Sequence, residues 1–155
     1  MNNNNRFLTR GALIAGLYIV ITYILAPMSF GPVQFRLSEA LTVLPILYPE
    51  AIPGLFIGVL LSNIFGGMGL VDIIGGSLVT LIAAYTTYRL RGSIFAYLSP
   101  VIFNGLLISL YIHVIYEIPY WATVFQITIS EAVVVFIFGY PLIQYLKKKV
   151  NKKEF

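Results

Sequence analysis

The stretch Gly11–Leu25, GALIAGLYIVITYIL, decides how the chain is read. It is an unbroken apolar run without a charge. With its approach from Phe7 it reaches about the 20 residues that a helix needs to cross a hydrocarbon core. It follows a polar, basic start, MNNNNRFLTR. A short apolar run behind a basic start also marks a secretory signal, but no small-residue cleavage site is evident and the rest of the chain is equally apolar. The run is therefore expected to be a retained first membrane helix, over 7–25. Pro27, Gly31 and Pro32 break it.

The rest of the chain repeats the pattern. Further apolar helices are expected over 37–48, 51–65, 70–88, 94–115 and 123–146. They are separated by Pro49 and Pro53, by Gly66, Gly67 and Gly69, by the run Arg89-Leu90-Arg91-Gly92, and by an aromatic loop over 116–121. The composition agrees. Of 155 residues, 59% are hydrophobic and 10% charged, and the mean hydropathy is +0.88. Soluble domains carry about 25% charged residues. The expected fold is all-α: a single integral membrane domain, 1–155, with six transmembrane helices. Six such helices take about 120 residues, which leaves no room for a separate soluble domain.

The charges orient this scheme. Arg6 and Arg10, Arg89 and Arg91, and Lys147, Lys148, Lys149, Lys152 and Lys153 fall on one face if six helices cross. Only Arg36 falls on the other. Positive residues favour the cytoplasmic side, so both termini are expected there, in a multi-pass protein of a prokaryotic cell membrane. The net charge of +4 is then a topology and lipid-headgroup signal, and no nucleic-acid partner is needed to explain it. The chain has no cysteine and one histidine, His113. That excludes disulfides, thiolate chemistry and multi-histidine metal sites. No HExxH and no phosphate-binding GxxxxGK[ST] occurs, and no metal or cofactor is expected.

Few polar groups then remain inside the helices. Glu39, Asp72 and Glu131 are the acids that enter them. A carboxylate within a membrane is costly unless paired or wet, which makes it a candidate functional group. Glu131 and Asn104 fall at similar depth from the outer ends of their helices. Asn104 and Tyr111 are seven residues apart on one face. Phe125, Thr128 and Glu131 follow at three-residue steps, as do Glu39 and Thr42. An outward-opening polar pocket between the second, fifth and sixth helices results, with Arg36 and Gln34 as its lid. Carboxylates, an amide and aromatic rings suit a small, flat, hydrogen-bonding ligand. Structural alternatives stay open. Asn104 also fits an interhelical strut, and Glu131 a partner for Arg36 or Tyr111. Glu39 and Asp72 fit first-turn acids facing a helix dipole. Asn63 fits a helix-end cap, and Trp121 an interfacial anchor. A further strip, Gly11, Ala12, Ala15 and Gly16, forms two small-xxx-small pairs. It serves either internal packing or docking to a partner subunit.

The segment Phe30–Pro45, FGPVQFRLSEALTVLP, resembles the QueT family of membrane proteins, the substrate-binding S components of energy-coupling factor transporters. The small-residue first helix, GGMGLVDIIGG at 66–76, FNGLLI around Asn104 and ISEAVVVF around Glu131 extend the resemblance over nearly the whole chain. The resemblance implies a non-enzymatic binding subunit that takes up a queuosine precursor, a 7-deazaguanine such as the 7-cyano or 7-aminomethyl compound. Arg36, Glu39, Asn104 and Glu131 carry over as site residues. Glu39 or Glu131 would accept from the donor edge of the base, Asn104 would meet its carbonyl and pyrrole N–H, and Tyr111, Phe125 or Trp121 would stack on it. Implied partners are a transmembrane coupling subunit and two cytoplasmic ATPases, docked through the Gly11–Gly16 strip. An S component for another vitamin, or an intramembrane enzyme using Glu39 and Glu131 as an acid–base pair, remain the alternatives.

Overall fold

The computed structural model describes residues 3–30 and 35–151. Gln34, expected to be part of the lid, lies outside the described residues, as do Lys152 and Lys153 of the basic tail. All regular structure among the described residues is helical. The first helix, α1, spans Asn3–Ile24 and is followed by a helical turn at Ala26–Ser29. A 3-10 helix occupies Leu37–Ile46. Then come α2 (Ala51–Phe65), α3 over 70–89, α4 (Phe95–Tyr116) and α5 (Tyr120–Lys149). Of these, α1, α4 and α5 are long and apolar enough to cross a membrane, and Leu37–Ile46 and α2 are shorter apolar helices.

Side-chain contacts fix the direction of each pass. Arg10 Nη1 meets Glu50 Oε1 at 3.0 Å and stacks over the Tyr48 ring. Tyr18 in α1 reaches Glu39, and Thr22 reaches Ser38, so the 3-10 helix runs back along α1. Tyr23 of α1 donates to the Phe65 carbonyl, so α2 runs alongside α1 in the same direction. Asn63 meets Asp72 at the α2–α3 turn, Ser99 meets Ala83 between α3 and α4, and Asn104 meets Glu131 between α4 and α5. Successive passes therefore alternate in direction. The apolar core lies between them, built on Tyr18, Leu44, Leu55, Val101, Val135 and Ile143 among others. Large apolar side chains such as Leu13, Ile24, Leu70, Ile102 and Val114 face outward. A surface of that kind suits lipid.

The second pass departs from regular α geometry. It was expected as a short α-helix over 37–48. It is instead ten residues of 3-10 helix, whose residues from Ser38 to Ile46 are all buried. Runs of this geometry rarely exceed three or four residues, and they rise about 2.0 Å per residue against 1.5 Å for α. Ten residues thus reach roughly 20 Å, compared with roughly 15 Å as α-helix. Three residues per turn also stack Glu39, Thr42 and Pro45 on one face. The Thr42 hydroxyl donates to the Glu39 carbonyl at 2.6 Å, three residues back. Pro45 has no N–H to contribute to an α ladder.

Three π-helical turns interrupt the longer helices, at Asp72–Gly76, Asn104–Ile108 and Val135–Gly139. Each contains a glycine pressed against a neighbour. A side chain at Gly105 would collide with the Thr128 hydroxyl. One at Gly139 would meet Val43 at 3.0 Å and the Ala40 carbonyl at 3.1 Å. The wide turns and the absent side chains together let α4 and α5 close on their partners.

One boundary differs in a way that matters. The sixth helix was expected from Thr123, with Tyr120 and Trp121 in a loop. Pro119 instead precedes a helix that starts at Tyr120. Proline cannot continue the preceding helix, and its fixed φ prepares the next one. Glu117, in left-handed conformation at φ 56°, makes the reversal out of α4.

Candidate ligand-binding site

The polar residues that enter the bundle converge. Glu39 is 7% exposed, Asn104 2% and Glu131 6%. The 3-10 helix supplies Glu39, the π turn of α4 supplies Asn104, and α5 supplies Glu131. Counting from the helix ends, Asn104 lies roughly 18 Å and Glu131 roughly 16 Å inside. The Asn104 amide donates to Glu131 Oε1 at 2.9 Å. It also faces Glu39. The Tyr18 hydroxyl donates to Glu39 Oε1 at 2.5 Å. Arg36 lies close enough to attract Glu39 and Glu131. Its Nε donates to the Ser29 carbonyl at 3.2 Å, and its guanidinium stacks on Phe30 at 5.3 Å. The arginine is thus held at the mouth by its neighbours while its charge bears on the carboxylates.

A second polar group adjoins the first. Tyr111 donates to Asp72 Oδ1 at 3.1 Å, and Tyr116 to Oδ2 at 3.4 Å. Asn63 holds the Asp72 backbone carbonyl at 2.8 Å. Arg36, Glu39, Asn63, Asp72, Thr80 and Tyr111 line one cavity of about 20 Å³. That is about the room one water needs.

Three buried acceptor atoms in these two groups have no hydrogen-bond partner: Glu39 Oε2, Asn63 Oδ1 and Asn104 Oδ1. Leaving such an atom unpaired costs about 1–3 kcal/mol, so native proteins rarely tolerate it without a reason. Here the orphans share one chemistry. All three are acceptors, so whatever satisfies them must donate.

The sequence-derived candidates divide. Arg36, Glu39, Asn104, Glu131 and Tyr111 come together. Phe125 and Trp121 do not: they are 70% and 75% exposed on the outer surface of α5. Trp121 packs edge-on to Tyr120 at 5.1 Å, and Tyr120 lies 6.1 Å from His113. That is an aromatic collar of the kind found at a membrane interface. One neighbour, Tyr18, goes unnoticed, since it reads as one more aromatic in an apolar helix. Asp72 is among the acids singled out in the sequence, with a first-turn role as its alternative, and Asn63 fits a helix-end cap; that the two meet is what the sequence does not say. The available signal was their coincidence: a buried amide and a carboxylate on either side of one short turn, facing Tyr111.

The small-residue strip divides as well. Gly11 and Ala15 are buried against α2, where a side chain at Gly54 would sit 2.6 Å from the Gly11 carbonyl. Ala12 is exposed, and nothing lies within 4 Å of a side chain added at Gly16. Both line an outward apolar groove of about 440 Å³ with Ile19, Pro53, Ile57 and Leu61.

These features define a class: a multi-pass helical membrane protein whose bundle encloses a buried polar cluster. The chain belongs to the QueT transporter family, which matches residues 8–148. A curated relative, the queuosine precursor transporter QueT of Lactococcus lactis subsp. cremoris (strain MG1363), is 38% identical over 73 residues. The match covers 46% of this chain and 43% of that protein, so the chain spans less than half the length of the relative. No solved structure matches the chain.

Proposed function

We propose that this protein is the substrate-binding S component of an energy-coupling factor transporter, and that it takes up a queuosine precursor of the 7-deazaguanine class. The observation that carries the reading is the set of unpaired acceptors: Glu39 Oε2 and Asn63 Oδ1 belong to residues that line the cavity, and Asn104 Oδ1 belongs to the amide that faces Glu39. A 7-deazaguanine offers donors at its ring N–H groups and exocyclic amine. A carboxylate accepts such a planar donor pair bidentately. Glu39, with one oxygen free, or Glu131 takes that edge. Asn104 meets the carbonyl and the pyrrole N–H through its amide. Tyr111 supplies the ring that faces the base.

The cavity is far smaller than a bicyclic base. Ligand entry therefore moves the segment that carries Arg36 and the buried 3-10 helix behind it. Such a helix is a frequent hinge. Six membrane spans with cytoplasmic termini in one membrane domain, in the plasma membrane of a prokaryote, place Arg36 on the outer side. The salt bridge between Arg10 and Glu50 then lies on the cytoplasmic side. Uptake is energised by two ATPases through a transmembrane coupling subunit, which docks on the outward groove at Ala12 and Gly16. This chain binds and does not itself catalyse.

Mass spectrometry of small molecules extracted from the purified protein tests the reading. A 7-deazaguanine, released chemically unchanged, is expected. A different vitamin in its place would reassign the substrate, and turnover of the released compound would reassign the class.

A further inference from the structure

The two polar groups around the cavity are unequal in charge. Glu39 and Glu131 face Asn104 and Tyr18, with Arg36 bearing on both. On the far side Asp72 meets two tyrosine hydroxyls. Two carboxylates, Glu39 and Asp72, thus line one small buried volume, and a third, Glu131, lies behind Glu39 on the amide of Asn104. Arg36 is the one cation among the described residues that bears on Glu39, Glu131 and Tyr111. Carboxylates buried together in excess of their cations repel one another, and a further cation offsets that repulsion.

Asp72 is built to receive it. Asp72 is 8% exposed. The two bonds it accepts are long for hydroxyl donors, 3.1 and 3.4 Å. Both of these bonds come from α4, so the carboxylate points toward that helix. Tyr111 and Tyr116 also present rings of the kind that attract an ammonium group. The unpaired Asn63 Oδ1, 2% exposed, lines the same cavity and adds an acceptor beside it. Gly76 lets these parts approach, since a side chain there would lie 3.3 Å from Asn63 Nδ2 and 3.8 Å from the Tyr111 hydroxyl.

We propose that Asp72, with Tyr111, Tyr116 and Asn63, binds a primary ammonium substituent of the ligand, so that the site selects an amine-bearing base over its neutral counterpart. This rests on the 7-deazaguanine reading. Glu39, Asn104 and Glu131 hold the base, and Asp72 reads what hangs from it. The carboxylate exchanges two weak hydroxyl bonds for one charge-assisted bond, and Asn63 Oδ1 takes a second ammonium hydrogen.

The test is calorimetric titration of the purified protein with 7-aminomethyl-7-deazaguanine and with 7-cyano-7-deazaguanine. The amine is expected to bind at least tenfold more tightly, about 1.4 kcal/mol. Asp72→Asn should lose at least tenfold for the amine while its affinity for the cyano compound moves less than threefold. Asp72→Glu, which keeps the charge, should restore part of the preference. Tyr116→Phe, a milder change that serves if Asp72→Asn does not fold, should weaken amine binding about threefold and leave the cyano compound unchanged. Equal or tighter binding of the cyano compound by the unaltered protein overturns the inference and leaves the 7-deazaguanine reading standing. So does an equal loss for both compounds in Asp72→Asn. Failure of both compounds to bind the unaltered protein overturns both readings.

Discussion

Two contacts made by the same helix differ in kind. On one side α1 packs against α2 through Gly11, Ala15, Gly54 and Gly58, with backbone nearly touching backbone and a single exposed hydroxyl bond, from Tyr23 to the Phe65 carbonyl, at its far end. On the other it meets the 3-10 helix through Tyr18, Thr22, Ser38 and Glu39, joined by buried hydrogen bonds. The first contact is regular helix on regular helix, held by dispersion at short range. The second lies where the helix geometry is irregular. The same division runs through the molecule. Asp72 and Asn104 each open a π turn, and Glu39 sits in the 3-10 run. Irregular turns recur at functional sites because they reposition side chains that a regular helix would aim elsewhere. The packing half is close, and the polar half leaves buried acceptors unpaired.

The largest effect should fall on the packing half. Gly54→Leu forces a side chain into the Gly11 carbonyl, 2.6 Å from where its first carbon would sit. Overpacking a tight contact costs about 1–3 kcal/mol, and a backbone clash lies at or above the upper end. The expected outcome is loss of monodisperse protein on size exclusion in detergent. A folded Gly54→Leu variant would mean that α1 and α2 part more easily than their contact implies.

Glu131→Gln acts on the polar half. It retains the shape and a polar partner for Asn104, so folding should be preserved. One of the two charges proposed to meet the donor edge is gone, and ligand-induced thermal stabilisation should disappear, a loss of at least a hundredfold in affinity or about 2.7 kcal/mol. Unchanged affinity would remove Glu131 from the site.

Much of this division is legible in the sequence, for reasons that also explain the gaps. Charged and amide side chains stand out in apolar helices, so Glu39, Asn104 and Glu131 can be singled out. The 3-10 geometry is not written in composition, since the mixed side chains of Ser38 to Ile46, SEALTVLPI, suit either helix. Three-residue spacing proved reliable only there. In a 3-10 helix it returns to the same face, which keeps Glu39 and Thr42 together. In an α-helix two such steps fall behind by about 120°. Phe125 therefore points out to the surface while Glu131 points in. Tyr18 escaped notice because a tyrosine hydroxyl declares itself only when its partner is known.

A smaller effect on the protein alone separates the two halves of the small-residue strip. Gly16→Leu meets open space, and Ala12 is exposed. Either substitution to leucine should leave the melting temperature and ligand affinity within error. Co-purification with ATPase subunits should fail, since the groove they fill is where the coupling subunit is proposed to sit. If both variants still co-purify, docking lies elsewhere.

The smallest effect is expected where sequence spacing and structure part company. Trp121→Ala and Phe125→Ala remove large rings that face outward. Neither ring touches Glu39, Asn104 or Glu131 in the arrangement described, so affinity should change less than twofold by calorimetry. Tyr111→Phe is the matched control. It keeps a ring at the cavity wall but removes the hydroxyl that Asp72 accepts. It should change affinity more than either outer substitution while leaving the ring available to stack. If Trp121→Ala weakens binding tenfold while Tyr111→Phe does not, the outer aromatic collar folds over the ligand. The working site would then extend beyond the polar half of the bundle to the α4–α5 turn.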